Sequence, residues 1–409
     1  MGQLARSADS AALPSAKTVS AQAFEDFDAS RVASPSFLID TAAIEANLRI
    51  LQAVAEAGEA KVLLALKAYS SFATADLFNQ YLDGACASGL YEARLAREFF
   101  AGDHGEVHTY SAGFTEASFD ETVAYSDHLV FNSLSQLKRF GQRVPPEKKV
   151  GLRINPEHSE GTVPIYDPCK PCSRLGVPIS QLSQLEPAEQ SNISGLHFHT
   201  LCEQGFDALD RTLRVIEKKI PNWLHHIEWL NLGGGHHITV DGYDRAALIE
   251  RLLNLKAEYG VELYLEPGEA TTIDAGILIA EVQDVTHNNH DIAILDTSAT
   301  CHMPDVIEMP YTPEIIGAKH GKNLSESSYR YVLGGPSCLA GDEIGHYGFD
   351  KALTPGTRLK FLNMAIYSIV KTNTFNGIPL PDIVIWDSRS DKILHRRQFS
   401  YEDFKTRLS

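Results

Sequence analysis

The 409-residue sequence predicts an α/β protein: a (β/α)8 TIM barrel followed by a C-terminal, mainly antiparallel β domain. Three observations carry that reading. Eight short apolar, β-rich runs recur at fairly even spacing between Lys61 and Pro267. The segments between them repeat their apolar residues with a helical period. After about residue 275 the long helical segments stop, and the β runs are separated by Gly, Pro, Asn and Asp instead.

The elements follow in chain order. Residues 1–33 are rich in Ala and Ser and read as a loose, flexible N-terminal extension. They lack the apolar stretch of a secretory signal, and Arg6 stands where a myristoylation motif after Gly2 needs Ser or Thr. The barrel is assigned to residues 34–275. Its first strand-like run, SFLID (36–40), is expected to pair with the C-terminal domain. In TAAIEANLRILQAVAEAG, Ile44, Leu48, Leu51 and Val54 share one face, Thr41 is the expected N-cap and Gly58 the expected stop. The barrel strands are then KVLLAL (61–66), GACAS (84–88), EVHTY (106–110), HLVFN (128–132), VGLRIN (150–155), GLHFH (195–199), IEWLNL (227–232) and ELYLEP (262–267). YEARLAREFF, FDALDRTLRVIEKK and DRAALIERLLNLKAEYG supply helices between them. Residues 276–409 form the β domain, with strands in GILIAEVQDV, DIAILD, YRYVLGG, RLKFLN and DIVIWD. The proline-rich stretch near 300–325 is expected to be a structured loop.

A formal net charge of −17 makes nucleic acid and anionic membrane surfaces poor partners and favours a cationic small molecule. Six cysteines in a chain of this length are not a disulfide framework, and the pair Cys169 and Cys172 has no second pair at zinc spacing. A reducing, cytoplasmic setting without a metal site is expected. No apolar run is long enough to cross a bilayer as a helix.

In a barrel the chemistry sits at the C-terminal ends of the strands. Lys67 follows the first strand, Arg153 lies near the end of the fifth and His199 ends the sixth. Gly233, Gly234 and Gly235 follow the seventh, and Glu266 ends the eighth. Taken singly, each has a plain explanation: a solvated lysine, a structural histidine among His197 and His199, a glycine turn. Their joint occurrence on one rim does not. Glycines after the seventh strand let backbone N–H groups approach a phosphate. A lysine for a Schiff base, a stacking imidazole, a carboxylate for a pyridine nitrogen and that cradle together describe a site for pyridoxal 5'-phosphate.

The motifs ALKAY, GLHFHT, LNLGGGHH, LEPGEA, GGPSCLAGD and AIYSIVKTNTFNGI, in this order, resemble the fold-type III pyridoxal phosphate decarboxylases. These act on ornithine, arginine, diaminopimelate and related amino acids. The resemblance runs from about Pro35 to near residue 395. DTSATCHMPDVIEMPY and SGLHFHTLCE resemble the branch that decarboxylates carboxynorspermidine and carboxyspermidine. The resemblance implies that Lys67 forms the Schiff base and that His199 stacks on the ring. Gly234, Gly235 and Tyr367 would hold the phosphate, and Glu266 would pair with the ring nitrogen. Cys338 would return a proton after CO2 leaves. Cys338 and Asp342 would come from the second subunit of a homodimer with shared active sites, Asp342 to touch the substrate. The run HTLCE places Cys202 and Glu203 where the wider family often has serine. Glu269, in LEPGE, replaces the wider family's phosphate-binding arginine. Glu269 and Asp305 are therefore expected to bind the amines of a carboxylated polyamine. Alternatives are a related basic substrate such as carboxyaminopropylagmatine or diaminopimelate, a racemase of the same fold type, or a cofactor-free relative. Such racemases resemble this barrel but place arginine at the ring nitrogen.

Overall fold

The protein is described over residues 13–161 and 163–409 by a computed structural model. Two units result: one built on residues 46–271, the other on Ala16–Glu45 together with Thr272–Ser409. The second unit includes helix α1 (Ala16–Asp26) and strand β1 (Ser36–Asp40), and α2 (Thr41–Gly58) carries the chain on into the first.

The first unit is the barrel. Its strands are β2 (Lys61–Ala65), β3 (Gly84–Ala87), β4 (Glu106–Ser111), β5 (His128–Phe131) and β6 (Lys149–Asn155). After the two-residue β7 (Val177–Pro178) come β8 (Gly195–His197), β9 (Trp229–Asn231) and β10 (Glu262–Leu265). Parallel pairing runs β2-β3-β4-β5-β6-β8-β9-β10 and back to β2, which closes an eight-stranded ring, while β7 hangs on β6. Such strands are covered on both faces and read as near-continuous apolar runs. Inside, Trp229 packs with Leu63, Val130 and Tyr264. Its indole needs two glycines: a Cβ on Gly195 would fall 2.0 Å from it, and one on Gly151 2.3 Å. At the strands' N-terminal ends, Glu106, His108 and His128 lie close together, the two imidazoles stacked 3.8 Å apart. The Lys61 ammonium already supplies positive charge there, bonded to Glu106 and, at 2.6 Å, to Glu262.

The second unit is a mixed sheet. Its further strands are β11 (Gly276–Asn288), β12 (His290–Leu295), β13 (Ala318–Lys319), β14 (Tyr329–Gly334), β15 (Glu343–Phe349), β16 (Arg358–Phe361), β17 (Asp382–Asp387) and β18 (Lys392–Arg397). The order is β13-β15-β14-β12-β11-β1-β17-β18, with β16 also on β11; pairing is antiparallel except β1 with β17 and β12 with β14. SFLID thus sits between β11 and β17, buried along its whole length.

Several expectations change. Residues 1–12 of the expected loose extension lie outside the described residues, but Ala16–Asp26 is a helix. Phe24 and Phe27 pack on Leu38, Ile277, Ile279 and Trp386, and Lys360 Nζ donates to the carbonyls of Phe24, Glu25 and Phe27 at 2.7–2.8 Å. That lysine satisfies carbonyls a helix end leaves open, and it lies more than 300 residues away in sequence, where local reading cannot find it. The N-cap of α2 is Asp40, whose Oδ1 accepts from Ala42 N–H at 3.0 Å, rather than Thr41. The helix stops at Glu59 with φ +49°, not through Gly58. Gly58 is small because a Cβ there would meet Leu252 Cδ1 at 2.7 Å. The stretch near 300–325 holds two four-residue helices, Ala299–His302 and Asp305–Glu308, and a 3-10 turn at Gly321–Glu326.

Candidate active site

The barrel residues singled out in the sequence meet at the C-terminal ends of the strands. Lys67 lies two residues beyond β2, and its Nζ is 3.2 Å from His199 Nε2, two residues beyond β8. His199 is held from two sides. Its Nδ1 accepts from Gly234 N–H at 3.0 Å, and its carbonyl accepts from Arg153 Nη2 at 3.1 Å. Arg153 is buried, with its guanidinium 4.6 Å over the Tyr110 ring. The surrounding barrel wall and the Arg153 charge both push the Lys67 ammonium below its ordinary pKa, although the side chain is open to solvent in the single chain. Burial likewise takes His199 well below the ordinary histidine value, with Lys67 and Arg153 adding to the shift, so the imidazole is neutral.

Glu266 follows β10 directly. Its Oε1 accepts from Asn231 Nδ2 at 2.7 Å, and its Oε2 lies 3.3 Å from His197 Nε2. Burial opposes the charge, but the His197 and Asn231 contacts outweigh it and hold the carboxyl at about 2. Burial keeps His197 itself below its ordinary pKa. An ionised acid thus faces the rim with a neutral imidazole and a lysine of lowered pKa beside it.

The glycine run has a steric reason. A Cβ on Gly233 would lie 2.4 Å from Phe198 O, one on Gly234 2.0 Å from Glu266 O, and one on Gly235 1.9 Å from Leu201 O; Gly233 and Gly235 also have φ of +67° and +86°. The Gly234 N–H, expected to face a phosphate, instead serves His199. Two buried polar atoms beside the run, Thr200 Oγ1 and His236 Nε2, have no hydrogen-bond partner among the described residues. Orphaned polar atoms flanking a backbone cradle, one of them a hydroxyl donor, fit an anionic group such as a phosphate. Glu269 sits 3.2 Å from His237 Nε2.

The remaining candidates belong to the second unit. Cys338 is exposed, its N–H donating to Asn376 Oδ1 at 2.8 Å. Asp342, expected to touch substrate, is buried and absorbed by its own domain. It accepts from Ser298 Oγ (3.0 and 2.8 Å), Thr300 N–H (3.2 Å) and Ser337 N–H (3.2 Å). Its carboxylate therefore shapes the loop that carries Cys338. Asp305 receives Lys371 Nζ at 2.5 Å, and the same ammonium reaches Glu308 at 2.5 Å. Tyr367 adopts φ +49°, ψ −45°, a strained conformation of the kind kept at working positions. Asn231, His197, Thr200 and His236 were missed as site residues. The signal for Asn231 is its place two residues before the glycine run in LNLGGG.

Comparison with known proteins identifies the family. A family described as pyridoxal-dependent decarboxylase, C-terminal sheet domain, matches residues 33–365. The chain is 41% identical to a carboxynorspermidine/carboxyspermidine decarboxylase of Campylobacter jejuni, over 92% of this chain and 99% of that one. It is 40% identical to a carboxyaminopropylagmatine decarboxylase of Synechocystis, over 93% and 96%. The crystal structure of Campylobacter jejuni carboxynorspermidine decarboxylase complexed with norspermidine superposes with a TM-score of 0.84, covering 92% of this chain and 100% of that one at 40% identity.

Proposed function

The chain belongs to the pyridoxal-dependent decarboxylase family and is a carboxy-lyase that uses pyridoxal 5'-phosphate, and from that premise we propose that it decarboxylates a carboxylated polyamine, carboxynorspermidine or carboxyspermidine, to the corresponding polyamine. One observation carries the chemistry: a neutral-leaning lysine 3.2 Å from an imidazole, on the same barrel rim as an ionised, doubly supported glutamate.

Lys67 would hold pyridoxal 5'-phosphate, which when bound would supply the electron sink that lets an α-carboxylate depart as CO2. The protein's own groups do the rest. Lys67 would hold the cofactor's aldehyde, which requires an uncharged Nζ, and its surroundings favour that form. His199, fixed by Gly234 N–H, offers its face to a flat ring. Glu266 would hold a proton on the ring nitrogen. Thr200, His236 and the backbone at Gly235 are assigned to the phosphate, together with Tyr367 by resemblance. The family likeness gives the returning proton to Sγ of Cys338 of the partner subunit, in a homodimer with two shared sites. Glutamate at 266, rather than the arginine of the related racemases, favours decarboxylation.

A second reading of the substrate has its own support. The carboxyaminopropylagmatine decarboxylase is about as similar to this chain as the Campylobacter enzyme. Both readings share the reacting end and differ in the distal group. All six cysteines are free thiols, which supports a reducing compartment such as the cytoplasm.

The test is incubation of the purified holoenzyme with each of the three carboxylated amines, following CO2 and the amine product. Release of CO2 from carboxynorspermidine or carboxyspermidine is expected. Racemisation without CO2, or turnover of carboxyaminopropylagmatine alone, overturns the polyamine assignment.

A further inference from the structure

Asn231 is fully buried at the end of β9 and makes two hydrogen bonds in opposite directions. Its Oδ1 accepts from Gly233 N–H at 2.9 Å, and its Nδ2 donates to Glu266 Oε1 at 2.7 Å. A backbone N–H can only donate, so the first bond fixes which end of the amide faces which neighbour. The second bond then has a necessary sense: Glu266 Oε1 must be an unprotonated acceptor. Any proton on this carboxyl goes to Oε2, the oxygen beside His197.

We propose that Asn231 is a positioning residue that couples the two ends of the cofactor site, orienting Glu266 for the ring nitrogen through Nδ2 and shaping the glycine cradle for the phosphate through Oδ1. This rests on the reading of Glu266 as the ring-nitrogen carboxylate. Aspartate at 231 would keep an acceptor for Gly233 N–H but lose the donor to Glu266 and set a like charge beside it, which forces the two acids to share a proton. Serine is too short to span both partners. The two functions are therefore separable by substitution.

The experiment compares binding of pyridoxal 5'-phosphate and of 1-deazapyridoxal 5'-phosphate, which lacks the ring nitrogen, to apoprotein prepared from the full chain. Wild-type protein should prefer the natural cofactor by about tenfold or more, since an unpaired buried carboxylate is costly. N231D should lose that preference, to within about threefold, while binding the deaza analogue nearly as well as wild type does. N231S should lose the preference and also weaken for both cofactors, because the cradle contact goes too. Far-ultraviolet circular dichroism of each apoprotein reports folding, and N231S decides the matter if N231D does not fold. A variant that keeps the wild-type preference overturns the role of Asn231. Absence of preference in the wild type overturns the reading of Glu266 instead.

Discussion

The backbone N–H of Gly234 donates to Nδ1 of His199 across 3.0 Å, and this bond fixes the imidazole's tautomer. With Nδ1 accepting, a neutral ring carries its proton on Nε2, the atom 3.2 Å from Lys67 Nζ. An N–H facing an amine nitrogen requires that nitrogen to accept, so the contact selects the uncharged lysine. The glycine run and Lys67 are linked through one histidine.

The Lys67 amine should accordingly react below the pH at which an ordinary lysine does. Lost hydration against the barrel wall lowers its pKa first and the Arg153 cation adds to this. Arg153→Gln keeps a donor for the His199 carbonyl but removes the charge. In the variant the apparent pKa for Schiff-base formation between apoprotein and pyridoxal 5'-phosphate should rise. Stopped-flow absorbance across pH 6–10 measures it, and an unchanged profile would remove Arg153 from the electrostatics of the site.

The shared-site reading makes a stoichiometric prediction. Lys67→Ala and Cys338→Ala proteins should each be nearly inactive. Mixed in equal amounts under subunit exchange, half the dimers are heterodimers and each holds one intact composite site, so activity should return to about a quarter of wild type. No recovery despite exchange, proven by mass-tagged subunits, would refute sites built from two subunits.

The barrel was legible because its signals are local. Each parallel strand is covered on both faces, so KVLLAL or ELYLEP announces itself as an apolar run, and Lys67, His199 and Glu266 fall within two residues of strand ends. What escaped notice depends on distant partners. Helix α1 is weakly patterned and becomes part of the core through Lys360 and Trp386. Strand β15 carries Gly345 and Gly348, and β18 (KILHRR) is largely exposed, so neither shows the apolar pattern of a buried strand. Asn231 read as an ordinary polar residue in a strand because its two bonds go to Gly233 and Glu266, outside the strand's own ladder.

Stability should fall on mild acidification, in part through His302. Its Nδ1 accepts from Ser298 N–H at 3.3 Å and its Nε2–H donates to Pro379 O at 3.0 Å, which defines a neutral ring. Burial lowers its pKa to about 4. The unfolded chain, with histidine near 6.5, binds the proton more readily, so the stabilisation is present above about pH 6.5 and is lost as pH falls towards 4. The full effect is on the order of 3 kcal/mol. Denaturant unfolding at pH 7.5 and pH 5 should show the loss. His302→Gln should be less stable than wild type at pH 7.5 yet show a shallower fall, and an equally steep fall would show that other groups dominate.

The last prediction concerns how the cationic tail of the substrate is held. Asp305 and Glu308 already grip one ammonium, that of Lys371, at 2.5 Å each. Burial opposes the charge on Lys371, but the two acids outweigh it and raise its pKa, so the ammonium remains protonated. A place that stabilises a lysine ammonium has the chemistry to stabilise a distal substrate ammonium, and the two then compete for the same carboxylates. Glu269, 3.2 Å from His237 Nε2, is assigned to the internal secondary amine. Charge-assisted hydrogen bonds of this kind contribute roughly 1.5–3 kcal/mol each. Asp305→Asn and Glu269→Gln should therefore each lower kcat/KM by about tenfold or more while leaving cofactor affinity nearly unchanged. Lys371→Met should act in the opposite sense on binding, lowering KM because the acids no longer have a resident cation. Steady-state kinetics on carboxynorspermidine, with cofactor affinity measured in parallel, separates the possibilities. A raised KM in Lys371→Met would make the Asp305–Lys371 pair a structural clamp, and loss of pyridoxal 5'-phosphate from Glu269→Gln would move Glu269 into the phosphate shell.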